Sequence, residues 1–171
     1  MRLPGRRPRP PAEAVAGLDR DERVVSWAST SDGGAVVATP LGLWLPGPAG
    51  AERIPWHLVD KAVWRDGTLT VVAASDPGDG VLTELPPRSV RLAVPWDLPQ
   101  TVRVRVERSI AFTRHHRLPS GGGVRVVGRR VPGSDGLSWQ LVLDASVDRD
   151  DGDVRSAAAG LVEQARGEVG R

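Results

Sequence analysis

The sequence predicts an α+β fold of mostly antiparallel strands, arranged as a barrel or as two packed sheets, with two helices. Three observations favour this class. Short runs rich in Val, Leu, Ala and Trp alternate with Gly- and Pro-containing turns, as in antiparallel sheets. One helix is predicted as an insertion near residues 98–109, where apolar residues recur every four positions. The other is a capping helix over residues 153–169, where apolar residues form one helical stripe.

The N-terminus differs in composition from the rest of the chain. Residues 1–13 contain four arginines and four prolines, a composition that buries little apolar area. We therefore predict a disordered, basic, Pro-rich arm over residues 1–13 and a single β-rich domain over residues 14–171.

Several short runs with high strand propensity follow the arm. Turn residues separate them, among them the segment 31–34 (Ser-Asp-Gly-Gly). The predicted strands lie near residues 23–29, 35–39, 43–46, 52–56, 81–85 and 89–94.

The clearest hairpin joins residues 59–64 to residues 68–74 through Arg65, Asp66 and Gly67. An Asp-Gly pair supplies the positive φ angles of a tight two-residue turn. Apolar residues alternate on both sides of the turn, which indicates half-buried strands.

Residues 97–113 fit two patterns. Val102, Val104 and Val106 alternate with arginines as on a strand, but Leu98, Val102, Val106 and Ile110 also recur at helical spacing. Asp97 is a candidate N-cap, and Pro99 suits a first helical turn. We predict a helix that ends near Ser109.

The C-terminal third predicts a three-stranded meander and a helix. The meander strands lie near residues 109–118, 124–131 and 137–144, with Gly-rich loops between them. In the helix, Asp151 or Asp153 is the expected N-cap. Its predicted apolar stripe comprises Val154, Ala157, Ala158, Leu161, Val162, Ala165 and Val169.

Composition excludes several classes of site. The 171 residues include no Cys, so disulfides, thiolate metal sites and cysteine nucleophiles are absent. The first residues lack the apolar run of a secretory signal, and no stretch approaches the roughly 18 apolar residues of a membrane span. We expect a cytoplasmic protein without integral membrane association.

The order of elements, antiparallel strands followed by a meander and one capping helix, resembles a pleckstrin-homology-like (PH-like) barrel. Three segments, VVATPLGLWLP, RIPWHLVDKAVW and FTRHHRLPSGGGVRVVGRRVPG, also resemble uncharacterised conserved proteins of actinobacteria across most of residues 20–165. The resemblance implies no catalytic residues. Lipid-binding members of the wider fold hold phosphoinositide with basic residues near the first hairpin turn. Here residues 30–34 contain no Lys or Arg, which argues against that ligand.

The strongest functional candidate is the basic segment 98–131, which contains eight arginines and one glutamate. Such a surface attracts phosphate or acidic partners, but strand alternation can also divide it between two faces or leave it simply solvated. Trp56 and Trp96 each follow a proline and are candidate anchors for a partner, with packing under a loop as the alternative. The predicted ligand- or partner-binding residues are Arg103, Arg105, Arg108, Arg117, Arg130, Trp56 and Trp96.

Other motifs have simpler explanations. His115 and His116 point to opposite faces of a strand, and a zinc site needs further ligands. Residues 121–123 lack the Lys and Ser/Thr of a phosphate loop, and residues 148–153 lack a calcium-loop pattern. We therefore predict no catalytic residues, metal or cofactor.

These observations favour a non-catalytic binding or scaffold module with a protein partner. The alternative is a weak nucleic-acid-binding protein that uses residues 98–131. An enzyme that uses His57 or His115 is a third hypothesis. The sequence leaves the oligomeric state open.

Overall fold

The computed structural model describes residues 8–169 of the chain. It contains eleven strands, three α-helices and one 3-10 turn at Trp56–Leu58. The helices are α1 (Ala12–Val15), α2 (Leu98–Ser109) and α3 (Gly152–Val169). The strands are β1 (Ser26–Thr30), β2 (Ala35–Ala38), β3 (Gly42–Gly47), β4 (Gly50–Pro55), β5 (Val59–Arg65), β6 (Thr68–Ser75), β7 (Val81–Glu84), β8 (Arg88–Val94), β9 (Ile110–Arg117), β10 (Gly123–Arg129) and β11 (Ser138–Leu143).

The first eight strands form an antiparallel arrangement in which β4, β3, β2, β1, β8 and β6 are successive neighbours. Strand β5 pairs with the other edge of β6. Helix α2 packs on this sheet because Leu98, Val102 and Val106 recur on one side of the helix and are buried among residues of β1, β2 and β5. The helix predicted near 98–109 is confirmed.

The meander β9–β10–β11 adds a second part to the sheet. Strand β11 joins it to the first part through a parallel pairing with β7, while the other pairings of the described strands are antiparallel. Among the described strands, the eleven-stranded sheet does not close on itself. The predicted α+β class with mostly antiparallel strands is therefore confirmed, and the sheet is open.

Helix α3 packs on β10 and β11. Asp151 caps it, since its Oδ1 accepts a hydrogen bond from the Asp153 N–H at 2.9 Å. The buried side chains are Val154, Ala158 and Ala165, with Leu161 and Val162 partly buried beside them. Two members of the predicted stripe, Ala157 and Val169, are exposed. The stripe is narrower than predicted because the residues at its margins turn away from β10 and β11.

Asp97 occupies the N-cap position of α2, as predicted. Asp97 does not bond to the first turn through its side chain; its Oδ1 accepts a hydrogen bond from Ser26 Oγ at 2.5 Å. This bond ties the start of α2 to strand β1.

Part of the predicted arm, residues 1–7, lies outside the described residues. The remainder includes the start of α1, which contacts β2 and β4. The Pro8 carbonyl accepts a hydrogen bond from Trp27 Nε1 at 3.0 Å, and Ala14 of α1 is buried beside Trp44.

Candidate functional site

Three separate cavities contain the predicted binding residues. Arg105, Arg108, Arg130 and Trp56 line a cavity of about 220 Å³, which we name the arginine cavity; its other lining residues are Pro40, Ser109, Val131 and Pro132. Arg103 and Trp96 line a groove of about 440 Å³, which we name the tryptophan groove; its other lining residues are Ala62, Trp64, Leu69, Pro95, Pro99, Gln100 and Val102. Arg117 lines a third cavity with His115 and Asp144. The predicted binding arginines of the basic segment are thus divided among three cavities.

Other arginines of the basic segment bond within the fold. Arg114 Nη1 forms an ion pair with Glu168 of α3 at 2.6 Å. Arg125 Nη2 lies 2.8 Å from both carboxylate oxygens of Asp60. Arg129 is 1% exposed. These three residues therefore hold elements together and do not add to an open basic surface.

The tryptophan groove runs beside β5, an edge strand among the described residues. Asp66 and Gly67 have φ angles of 49° and 77°, which fit the predicted two-residue turn. In such a hairpin the residues flanking the turn form a hydrogen-bonded pair, and non-hydrogen-bonded pairs alternate with them. The register pairs Trp64 with Leu69 and Ala62 with Val71. The backbone N–H and C=O groups of Ala62 and Trp64 therefore point away from β6, along the free edge.

Two tryptophans give this groove an accessible aromatic surface. Trp64 is 39% exposed and Trp96 is 49% exposed. Trp64 lies on β5 close to the hairpin turn. Trp96 has a φ of 48°, a left-handed conformation that costs a non-glycine residue about 1–3 kcal/mol. It connects Pro95 to the start of α2 and so fixes the other wall of the groove.

Trp56, the second tryptophan predicted as an anchor, is 3% exposed. Its Nε1 donates a hydrogen bond to the Thr39 carbonyl at 2.9 Å. This bond and the core around the ring hold the indole as a fixed wall of the arginine cavity.

A buried charge cluster links the two parts of the sheet, and it was not predicted. Asp60 of β5, with a side chain 1% exposed, binds Arg125 of β10, which also bonds to Glu84 of β7 at 3.1 Å. Lys61 reaches the same Glu84 at 2.9 Å. The sequence offered little signal for this cluster, because its residues lie on strands that are far apart along the chain.

Arg129 extends this cluster into the core. Its guanidinium donates to Ser109 Oγ at 2.7 Å and to the Val59 carbonyl at 3.1 Å, and lies 4.0 Å from Asp60. Burial lowers the pKa of Arg129, while the Asp60 charge opposes that change. An arginine nonetheless keeps its charge in proteins, so the cluster places a cation inside the fold.

His57 lies half-buried on the 3-10 turn. Burial, followed by the positive charge of Arg129, holds the pKa of His57 below its ordinary value of 6.5, against a smaller opposing effect of Asp76. Among residues 8–169, no hydrogen bond or ion pair joins His57 to the neighbouring Asp60, whose carboxylate binds Arg125.

We expect the free energy of unfolding to fall as the pH drops below about 6.5. The unfolded chain protonates His57 at a higher pH than the folded chain does, so it binds more protons in this window. Urea unfolding at pH 7.5, 6.5 and 5.5 measures the change for the wild type and for His57→Gln. The variant should lose less stability over this range; equal losses would show that His57 contributes nothing to the pH dependence.

The third cavity does not assemble a metal site. His115 Nε2 lies 3.8 Å from Asp144 Oδ2. Across residues 8–169, no group of three or more His, Asp or Glu side chains is placed to hold a metal ion.

Comparison of the chain with protein-family models, with curated proteins and with solved structures finds no match. Between residues 8 and 169, none of the helices has the length and apolar character needed to cross a membrane.

Proposed function

We propose that the protein is a non-catalytic protein-binding module of PH-like architecture. In this proposal, an extended segment of a partner polypeptide lies in the tryptophan groove and pairs with the free edge of β5. Addition of a strand to an exposed sheet edge is a recurrent mode of peptide recognition, in which backbone hydrogen bonds give affinity and side-chain pockets give specificity.

The observation that carries the proposal is the coincidence of an accessible indole with a strand edge that has no pairing partner between residues 8 and 169. Ala62 and Trp64 direct backbone donors and acceptors along the edge of β5 that faces away from β6, and both residues line the groove. An exposed edge strand otherwise favours aggregation, and natural proteins commonly cover or shorten such edges. Tryptophan is enriched among the residues that dominate binding energy at protein interfaces.

The PH-like part of the proposal rests on residues 26–109. Their strands are neighbours in the order β4-β3-β2-β1-β8-β6-β5, and every pairing in this order is antiparallel. Helix α2 follows β8 in sequence and packs on this sheet. The helix that corresponds to a PH-like capping helix is then α2. In this interpretation, β9–β11 and α3 are an addition to the PH-like unit.

The groove also indicates the chemistry of the partner. Among the described lining residues, Arg103 is the one charged side chain, and it lies 3.6 Å from Glu107 outside the lining. The remaining lining is aromatic, aliphatic or proline, apart from Gln100. We expect a segment with an apolar residue for the indole of Trp64 and an acidic residue for Arg103.

A peptide selection tests the proposal. Random peptides of about 10 residues, long enough to span β5, are displayed on phage and selected on the full chain. The selected peptides are then synthesised, and their affinities are measured by calorimetry. Trp64→Ser should weaken binding at least about 10-fold, because it removes the anchor.

Val63→Ser is the matched control. Val63 is exposed and neighbours Trp64, but it faces the opposite side of β5. The peptide is also N-methylated at one residue at a time. Methylation should abolish binding at every second residue, since strand pairing engages alternate N–H groups. The proposal fails if no peptide is selected, or if Trp64→Ser and Val63→Ser have the same effect.

A further inference from the structure

We propose that the arginine cavity is a second binding site, for a phosphate monoester group. Arg105 and Arg108 of α2 and Arg130, directly after β10, line it together. The phosphate monoester is the class of ligand whose charge and oxygen acceptors fit several guanidinium groups.

The three arginines that line the cavity have no acidic partners among residues 8–169. Arg53, Arg114 and Arg125 each form ion pairs with carboxylates. Within residues 8–169, no carboxylate forms an ion pair with Arg105, Arg108 or Arg130, and no acidic residue appears in the lining of the cavity. The fold brings three cations together without supplying an anion.

The C-terminus of α2 partly offsets this charge. A helix end carries roughly −0.5 elementary charge on its unpaired carbonyls. Arg130 Nη1 donates hydrogen bonds to the carbonyls of Arg108 at 3.1 Å and Ile110 at 3.4 Å, and so binds carbonyl groups at the C-terminal end of α2. Three arginine charges against the helix end leave a net positive charge of roughly 2.5 among the residues that line the cavity.

The size of the cavity limits the ligand. About 220 Å³ lies below the roughly 300–1,000 Å³ of pockets that enclose whole small molecules. The cavity therefore has room for an anionic group while the rest of its molecule stays outside. The buried indole of Trp56, with Pro40 and Pro132, supplies apolar walls beside the arginines.

A long nucleic acid fits this site less well. Binding along a phosphate backbone needs a continuous row of cations. The other arginines of the basic segment are buried, paired with carboxylates, or located at other cavities. A single anionic group suits three arginines that line one cavity.

The test uses the full chain with inorganic phosphate and pyrophosphate as probes, titrated by calorimetry at constant ionic strength. We expect saturable binding of at least one probe in the millimolar range or tighter. The double variant Arg105→Gln/Arg108→Gln should weaken it at least about 10-fold. Neither arginine has an ion pair among the described residues, so the fold should tolerate the change, and circular dichroism verifies this.

The matched control is Arg20→Gln/Arg23→Gln, which removes the same net charge at two exposed arginines outside the cavity. It should leave phosphate binding within about 2-fold, as expected for a change in general surface charge alone. Absence of saturable binding overturns the proposal, as does equal weakening by both double variants.

Two further arms identify the source of the phosphate group. Vesicles of phosphatidylcholine with phosphatidic acid present the monoester on a lipid. Vesicle binding that is lost in Arg105→Gln/Arg108→Gln assigns the site to a lipid headgroup, and phosphate binding without vesicle binding assigns it to a soluble ligand.

Binding of a single-stranded RNA oligonucleotide with no binding of phosphate or pyrophosphate overturns the proposal in favour of a nucleic-acid surface. The peptide experiment tests the tryptophan groove and the phosphate experiment tests the arginine cavity, so each proposal can fail without the other.

Discussion

Asp60→Ala is expected to lower the free energy of unfolding by about 3–5 kcal/mol, the cost typical of removing one partner from a buried ion pair. The Asp60 carboxylate accepts two hydrogen bonds from Arg125 at 2.8 Å, and it is the nearest counter-charge to the buried Arg129. Without it, a guanidinium with a side chain 2% exposed remains in the core without a carboxylate. Urea unfolding followed by circular dichroism measures the loss.

Glu52→Ala is the control for this prediction. It breaks a cross-strand ion pair with Arg88 at 3.0 Å whose two side chains are 34% and 50% exposed, and such pairs contribute about 1 kcal/mol or less. A second variant separates charge from packing. Asp60→Leu/Arg129→Leu removes both charges and should recover part of the stability lost in Asp60→Ala. Similar losses for Asp60→Ala and Glu52→Ala would contradict a structural role of the buried cluster.

Ala158→Asp is expected to destabilise the chain by about 3 kcal/mol or more, because it places a carboxylate in an apolar core. Ala158 is 2% exposed and packs among the residues of β10 and β11 that α3 covers, including Leu143. Trp139 lies partly buried beside the same core, 5.5 Å from the Phe112 ring, so near-ultraviolet circular dichroism and tryptophan fluorescence report on this region. Urea unfolding gives the magnitude.

Ala157→Asp is the matched control. Ala157 precedes Ala158 on the same helix and is exposed, so the change has the same intrinsic helix cost and should lower stability by less than about 1 kcal/mol. If both variants lose the same stability, α3 does not dock through the face that the structure assigns to it.

Local patterns predicted most of the elements. The hairpin β5–β6 follows from Asp66 and Gly67, whose positive φ angles permit a two-residue turn. The helix at Leu98–Ser109 follows from the four-residue spacing of its buried residues, although the same valines also alternate as on a strand. Residues close to one another in sequence determine these features, so a window of about 10–15 residues is enough to predict them.

Non-local features could not be predicted in this way. The parallel pairing of β11 with β7 joins Leu141 to Val81, and nothing in either segment specifies the other. Asp60 and Arg125 are 65 positions apart, and neither local pattern indicates that they form a pair. The arginine cavity combines α2 with a residue after β10, and only the packed fold shows that Arg105, Arg108 and Arg130 share one space while Arg103 and Arg117 lie elsewhere.

The parallel pairing of β7 with β11 also affects how the chain folds. A parallel ladder needs a crossover, and here the crossover contains β8, α2, β9 and β10. Closing so long a loop costs entropy before the new contacts repay it, and folding rates decrease as contacts become more distant in sequence. The hairpins β1–β2, β3–β4 and β5–β6 form from adjacent segments and leave the ribosome first. We therefore expect the rate-limiting step to be the docking of β9–β11 onto a largely formed N-terminal sheet.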